Sequence, residues 1–193
     1  MADVTAVTGH AALIDRAVRA LGGLDIVLVG HGFLPDQRET EHSWDAAETT
    51  LAVNFVGTVA LLLPVVDTLE RQGFGQLAVI TSVAAERGRP RNYTYGAAKA
   101  GLNVYLQGVR SRLYRSGATV HVLKPGPVHS PMTVGHTPNV LFATPEQIAS
   151  GILSALASGR SVAWLPAYWR PIMAVVRWLP EPIFQRLPFL SGR

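Results

Sequence analysis

The chain predicts an α/β fold built on a mostly parallel sheet. Short β-prone apolar runs alternate with segments of helical spacing, glycine or proline-glycine breaks mark the junctions, and no internal repeat, heptad or low-complexity linker competes. Residues 11–21 read as a helix stopped by Gly22-Gly23, and 25–29 as the next strand, with Gly30-His31-Gly32 as its turn. Ser43 caps a helix carrying Asn54, and Pro64 is expected to kink or interrupt that helix before Gly73. The run Gln76-Leu77-Ala78-Val79-Ile80-Thr81-Ser82 is a strand that delivers Ser82 to its C-terminal end. An arginine-rich loop then leads to a helix holding Tyr95 and Lys99, which runs to about Ser116 with Gly117 as its stop. Strand 120–123 ends in the Pro125-Gly126 break. Thr144-Pro145-Glu146-Gln147 is a capping-box start for a helix ending near Gly159, and 161–165 is the last strand.

Composition narrows the function classes. At 193 residues the chain is one domain's worth. Without cysteine it has no disulfide and no thiolate metal site, which suits a reducing cytoplasm, and its six histidines show no paired metal-ligand spacing. Hydrophobic residues make up 48% and the mean hydropathy is positive, yet no uninterrupted apolar stretch approaches the roughly 20 residues that span a bilayer. The first residues lack a signal-peptide pattern. A net charge of +4 favours anionic partners, but no aromatic-basic module accompanies it, so nucleic acid is not an expected partner.

The chemistry centres on Tyr95-Gly96-Ala97-Ala98-Lys99. A tyrosine and a lysine four apart share one helix face, so the ammonium can lie under the phenol and lower its pKa towards the working range. Only two of the seventeen basic residues are lysines, Lys99 and Lys124. Taken alone, the YxxxK string is ordinary surface chemistry. Its context is not: Ser82 ends a strand thirteen positions earlier, Asn54 lies in Val53-Asn54-Phe55-Val56-Gly57, and Val120-His121-Val122-Leu123-Lys124-Pro125-Gly126 leads to Val128-His129-Ser130-Pro131-Met132-Thr133.

Together these motifs, in this order from about Asp3 to Trp164, resemble the short-chain dehydrogenase/reductase family. The resemblance implies a partial Rossmann-like, doubly wound parallel sheet and an oxidoreductase that interconverts a carbonyl and an alcohol with NAD or NADP. It implies that Tyr95 is the acid/base, that Lys99 lowers its pKa and holds the cofactor ribose, that Ser82 orients the substrate oxygen and that Asn54 supports a relay water. Asn54 has a structural alternative, satisfying backbone in a kinked helix. Pro125 and Gly126 resemble the turn beside the nicotinamide, Ser130 the family Ser/Thr that contacts its carboxamide, and Asp3-Val4 the acidic motif that contacts adenine. Gly30-His31-Gly32 replaces the usual Asn-Ala-Gly; His31 either lines the cofactor wall or is a plain loop histidine.

No GxxxGxG string precedes the catalytic segment, so the expectation is a domain over 1–166 that lacks the first βαβ units. It carries two corollaries: weak dinucleotide binding with impaired catalysis or a noncatalytic subunit as the alternative, and an exposed apolar edge at strand 25–29. Small residues on the Tyr95 helix (Gly96, Ala97, Ala98, Ala100) fit a homo-oligomer. Arg87, Arg89 and Arg91 are either solvated or an anion-binding loop near the substrate mouth. Met132 onwards, with His129 and His136, resembles the family's mobile cover.

The extension 167–193 is aromatic and basic. Trp169, Ile172, Met173 and Val176 fall at helical spacing, which reads as a peripheral anchor at the inner face of the membrane or, equally, as an apolar lid or dimer contact. Combined with Val29-Gly30-His31-Gly32 and Leu34-Pro35-Asp36-Gln37, it is similar to reductases related to the decaprenylphosphoryl-2-keto-ribose group, which implies a lipid-linked sugar substrate in place of a simple small molecule.

Overall fold

The computed structural model describes residues 2–134 and 139–187. The expectations placed on His136 and on residues beyond Leu187 lie outside that range. Four parallel strands, β1 (Ile26–Val29), β2 (Gln76–Ile80), β3 (Thr119–Pro125) and β4 (Val162–Leu165), form one sheet in the order β1-β2-β3-β4. Each strand pairs in register with the next, as Leu28 with Ala78 and Ala78 with His121.

Helices cover both faces, as a doubly wound sheet requires. On one face α1 (His10–Leu21), α4 (Gly57–Gln72) and α5 (Tyr93–Leu113) bury Leu77, Val79, Val120 and Val122. The other face turns Ala78, Leu123, Ala163 and Leu165 onto α6 (Pro145–Ala157) through Ile148, Ile152 and Ala155. Alternate residues of each strand thus serve opposite cores. The Thr144 capping box forms as the sequence predicts, with Gln147 N–H donating to Thr144 Oγ1 (3.3 Å) and Thr144 N–H to Gln147 Oε1 (2.9 Å).

Two short helices, α2 (Gln37–His42) and α3 (Trp44–Leu51), lead into the longest helical run. Ser43 caps α3 as predicted, accepting from Ala46 N–H. The interruption expected at Pro64 is instead a π-helical turn at Ala52–Val56, around Asn54, and α4 continues through the proline without a break. Leu62, Val65, Val66 and Leu69 are buried on either side of Pro64, and burying each such side chain contributes on the order of 1.5–3 kcal/mol, enough to hold the helix despite one missing N–H. The run 44–72 is long and apolar enough to cross a membrane by length and composition, so the sequence test missed a candidate; those same core residues pack it against the sheet. Gly57 is fixed by close approach, because any Cβ there would collide with the Val4 carbonyl.

Helix α5 buries Leu102, Leu106, Val109 and Leu113, a 4-3-4 spacing that marks its inner face. Ala98 and Lys99 lie one turn earlier on that face and are buried with it. Gly96 is also buried, where a Cβ would press on the Ala84 carbonyl at 3.0 Å, so two of the small residues read as an interface serve the chain's own packing instead. Ala97 is exposed.

Strand β1 is an edge of the sheet, with Ile26 and Leu28 56% and 52% exposed, as expected of that strand. The segment beyond β4 forms α7 (Trp169–Trp178) and α8 (Glu181–Gln185). Trp169, Met173, Val176 and Phe184 close over Val83 as a third apolar cluster. The face read as a membrane anchor is therefore covered by this chain, since the same helical spacing serves any apolar surface.

Candidate active site

The C-terminal ends of β1, β2 and β3 open into one cavity of about 1310 Å³, the crevice where open α/β sheets bind ligands. Gly30, His31 and Gly32 follow β1, Thr81 and Ser82 follow β2, and Pro125 ends β3 with Gly126 after it; all line it. Tyr95 and Lys99 enter from the first turns of α5, and Ser130 from the loop after β3.

Ser82 is positioned by a short 3-10 turn, Val83–Glu86, whose Ala84 N–H donates to Ser82 Oγ at 3.0 Å. Burial pushes the Tyr95 phenol up to about 12, with the Ser82 hydroxyl working in the other direction. This reverses the lowering expected from Lys99. The lysine Nζ lies 5.8 Å from the Tyr95 ring centroid and donates to the Ile80 carbonyl at 3.3 Å, so loss of solvent outweighs its attraction for a phenolate. Lys99 is only 3% exposed, and burial pushes its amine down to about 8. At neutral pH the pair is a protonated phenol beside an ammonium whose remaining N–H groups face the cavity wall at Gly32.

Asn54 is fully buried, and its amide ties the π turn to the loop after β1. Its Nδ2 donates to the carbonyls of Phe33 (2.7 Å) and Thr50 (2.9 Å), and its Oδ1 accepts from Phe33 N–H at 3.1 Å. Both amide protons are thus used by backbone, the structural alternative for this residue, and one Oδ1 lone pair remains for a relay. Thr58 donates to the Val53 carbonyl and so accepts from His31 Nε2 at 2.8 Å. Burial, followed by the neighbouring Lys99 charge, lowers the His31 pKa, so the ring is a neutral part of the wall.

Asp3 and Val4 are not brought to the cavity. The exposed Asp3 carboxylate accepts from Thr5 N–H and Oγ1, both at 2.8 Å, and Val4 abuts Gly57. Pro125, Gly126 and Ser130 do reach it, with Ser130 N–H held by Thr133 Oγ1 at 3.2 Å.

The three loop arginines part company. Arg87 is clamped: it donates to the carbonyls of Val176 (2.7 Å) and Leu179 (2.6 Å), pairs with Glu181 and stacks on the Phe184 ring at 3.9 Å. Arg89 and Arg91 line the cavity. Trp169, on the face that also reads as an apolar lid, lines it too, as does Asn92, for which the sequence carries no signal. The indole of Trp169 lies so close to Gly126 that a Cβ there would overlap it, which makes the C-terminal segment a wall of the cavity. Only its aromatic residue at helical spacing marked Trp169, and that marks any buried face.

The cavity has the character a nicotinamide cofactor needs on its reacting side. Lys99, which lines it, has a single hydrogen-bond acceptor among the described residues for its three protons. The comparisons agree on kinship. A family model described as short chain dehydrogenase matches residues 1–140. The chain belongs to that family. It is similar to an "uncharacterized oxidoreductase" of Mycobacterium tuberculosis, 33% identical over 186 residues that cover 96% of this chain and 75% of the relative. Among solved structures, a short chain dehydrogenase from Burkholderia cenocepacia in complex with NADP superposes with a TM-score of 0.84 at 22% identity, covering 96% of this chain and 76% of that one. A 3-oxoacyl-[acyl-carrier protein] reductase from Brucella melitensis in complex with NAD gives a TM-score of 0.75 at 23% identity, covering 85% and 74%. Such identities establish the shared α/β fold. None of these names mentions a lipid-linked sugar, and the narrower resemblance drawn from the sequence gains nothing from them.

Proposed function

We propose that the protein is an NAD(P)-dependent oxidoreductase that interconverts a carbonyl and an alcohol. The observation that carries this reading is the convergence of Ser82, Tyr95 and Lys99 in one cavity at the strand ends, beside Gly32 and Gly126. The cofactor supplies or accepts the hydride at carbon. Ser82 Oγ–H holds the carbonyl oxygen, and Tyr95, protonated well above neutral pH, gives its Oη proton to that oxygen as negative charge develops. Lys99 binds cofactor hydroxyls and, as an ammonium, eases the phenolate that remains after proton transfer. In the oxidative direction the same proton returns to Tyr95. Pro125, Gly126 and Ser130 bound the nicotinamide side, and Asn54 holds the loop that forms the opposite wall.

The substrate is a small molecule. The lipid-linked sugar and the membrane contact have no support in the C-terminal segment, whose apolar face is buried on this chain. Homo-oligomerisation through α4 and α5 is supported by exposed Leu63 and Val104, and light scattering that returns a monomer at micromolar concentration refutes it. The test of the reading is NADH and NADPH titration together with turnover of a panel of ketones. Binding of either cofactor with turnover lost in Tyr95→Phe is expected; turnover unaffected by that change overturns the acid/base role.

A further inference from the structure

Among the described residues, the lining of the active-site cavity contains no carboxylate, yet it contains Arg89, Arg91 and Lys99. The carboxylates paired around this loop, Glu86 and Glu181, are engaged elsewhere. Glu86 pairs with Lys124 at 2.6 Å and Arg177 at 3.4 Å, and Glu181 pairs with Arg87. Arg89 is half-buried, its Nε is shut off from solvent without a hydrogen-bond partner, and it forms no ion pair with a described residue. Burial, with the like charge of Arg91 adding to it, pushes its guanidinium down to about 10. In the lining of the same cavity the Trp169 Nε1–H is also buried without a partner among the described residues. Two orphaned donors around one cavity are costly in a folded chain and mark a place where an accepting ligand completes the hydrogen bonding.

We propose that Arg89 is the binding residue for an anionic headgroup on the substrate, a carboxylate or a phosphate ester carried by the carbonyl compound. The proposal rests on the reductase reading and refines it. Arg89 sits six residues before Tyr95, in the loop that joins the Ser82 turn to α5, and it lines the same cavity as Ser82 and Tyr95. The guanidinium fork matches either oxyanion with two parallel N–H bonds, and a partly desolvated site strengthens them. Arg91, exposed at the mouth, adds attraction for the incoming anion.

The test is binding to the whole chain, followed by ligand-observed NMR, for two matched pairs: acetoacetate against methyl acetoacetate, and dihydroxyacetone phosphate against dihydroxyacetone. The charged member of at least one pair is expected to bind ten times more tightly or better, and which pair shows it tells carboxylate from phosphate. Arg89→Gln should reduce that preference below threefold, and Arg89→Lys should restore part of it. A melting curve on each variant confirms that the fold is intact. Equal affinities within both pairs, or a preference that survives Arg89→Gln in the folded variant, overturns the proposal. So does displacement of the anion by NADPH but not by NADH, which would assign Arg89 to the cofactor. Because the readout needs no turnover, a chain that prefers the anion but reduces nothing refutes the reductase reading alone. One that reduces charged and neutral members equally well refutes this one.

Discussion

Arg87 and Arg89 stand two residues apart in one loop and have opposite fates. Arg87 is held outside the cavity lining: two helix-end carbonyls, a carboxylate and an aromatic face engage its two terminal nitrogens and its plane. Arg89 turns to the cavity and finds no partner among the described residues. The C-terminal clamp is thus complete within the chain, while the active-site side keeps charges that nothing among the described residues neutralises. Physically, the first arrangement contributes to stability and the second reduces it. A folded protein keeps such a cost where a ligand offsets it.

The contrast is broken or sharpened by substitutions that should separate activity from stability. The largest effect is expected from Tyr95→Phe, which removes the donated proton and should lower kcat by about 10²–10⁴-fold with little change in cofactor Kd or in Tm. Steady-state kinetics beside a melting curve checks both halves, and a lost fold in place of a lost rate would place Tyr95 with the structural residues. Next comes Arg87→Met. It strips two carbonyls and Glu181 of their donor and should destabilise the chain by about 2–3 kcal/mol in urea unfolding. A midpoint equal to wild type would show that the clamp is not what holds α7 in place.

Lys99→Met should move stability the other way. A buried ammonium pushed from 10.5 to about 8 costs on the order of 3 kcal/mol, so a neutral side chain of similar length should raise the urea midpoint while cofactor affinity falls. An unchanged or lower midpoint would mean that the contact with the Ile80 carbonyl outweighs desolvation.

The smallest effect is in pH dependence. The folded-state pKa of Lys99 lies below its unfolded value, so between about pH 8 and 10 the unfolded chain binds more protons at this site, and stability should rise with pH. Above 10 the raised Tyr95 pKa acts in the opposite sense, because the unfolded phenol ionises first, but the lowered Arg89 pKa adds to stability over the same range and offsets it. Lys99→Met should abolish the rise between about pH 8 and 10. Urea unfolding across that range measures the slope.

Much of the scaffold was legible in the chain itself. The four strand runs, the capping box at Thr144 and the glycine stops at 22 and 159 are local signals, because apolar alternation, side-chain-to-backbone bonds and positive φ depend on near neighbours, whereas α5 ends at Leu113 before its expected stop at Gly117. The motif residues Ser82, Tyr95 and Lys99 were legible for the same reason: strand and helix periods alone place them at a strand end and on one helix face.

What the sequence could not determine depended on contacts distant along the chain. Pro64 predicts a kink or a break, but packing of Leu62, Val65 and Leu69 on the sheet keeps α4 unbroken there, and the irregular turn forms where Asn54 meets the Phe33 backbone 21 residues away. The periodicity of Trp169, Met173 and Val176 specified an apolar face without naming its partner, which proved to be Val83 and the cavity wall in place of a membrane. The protonation state of Tyr95 also escaped a rule based on spacing four apart, since desolvation is set by everything that surrounds a group. Sequence by itself determined which elements form and which side chains they carry to the strand ends. Only the tertiary structure decided which of those groups are buried and which are left without a partner, because solvent exclusion and charge pairing are properties of the packed whole.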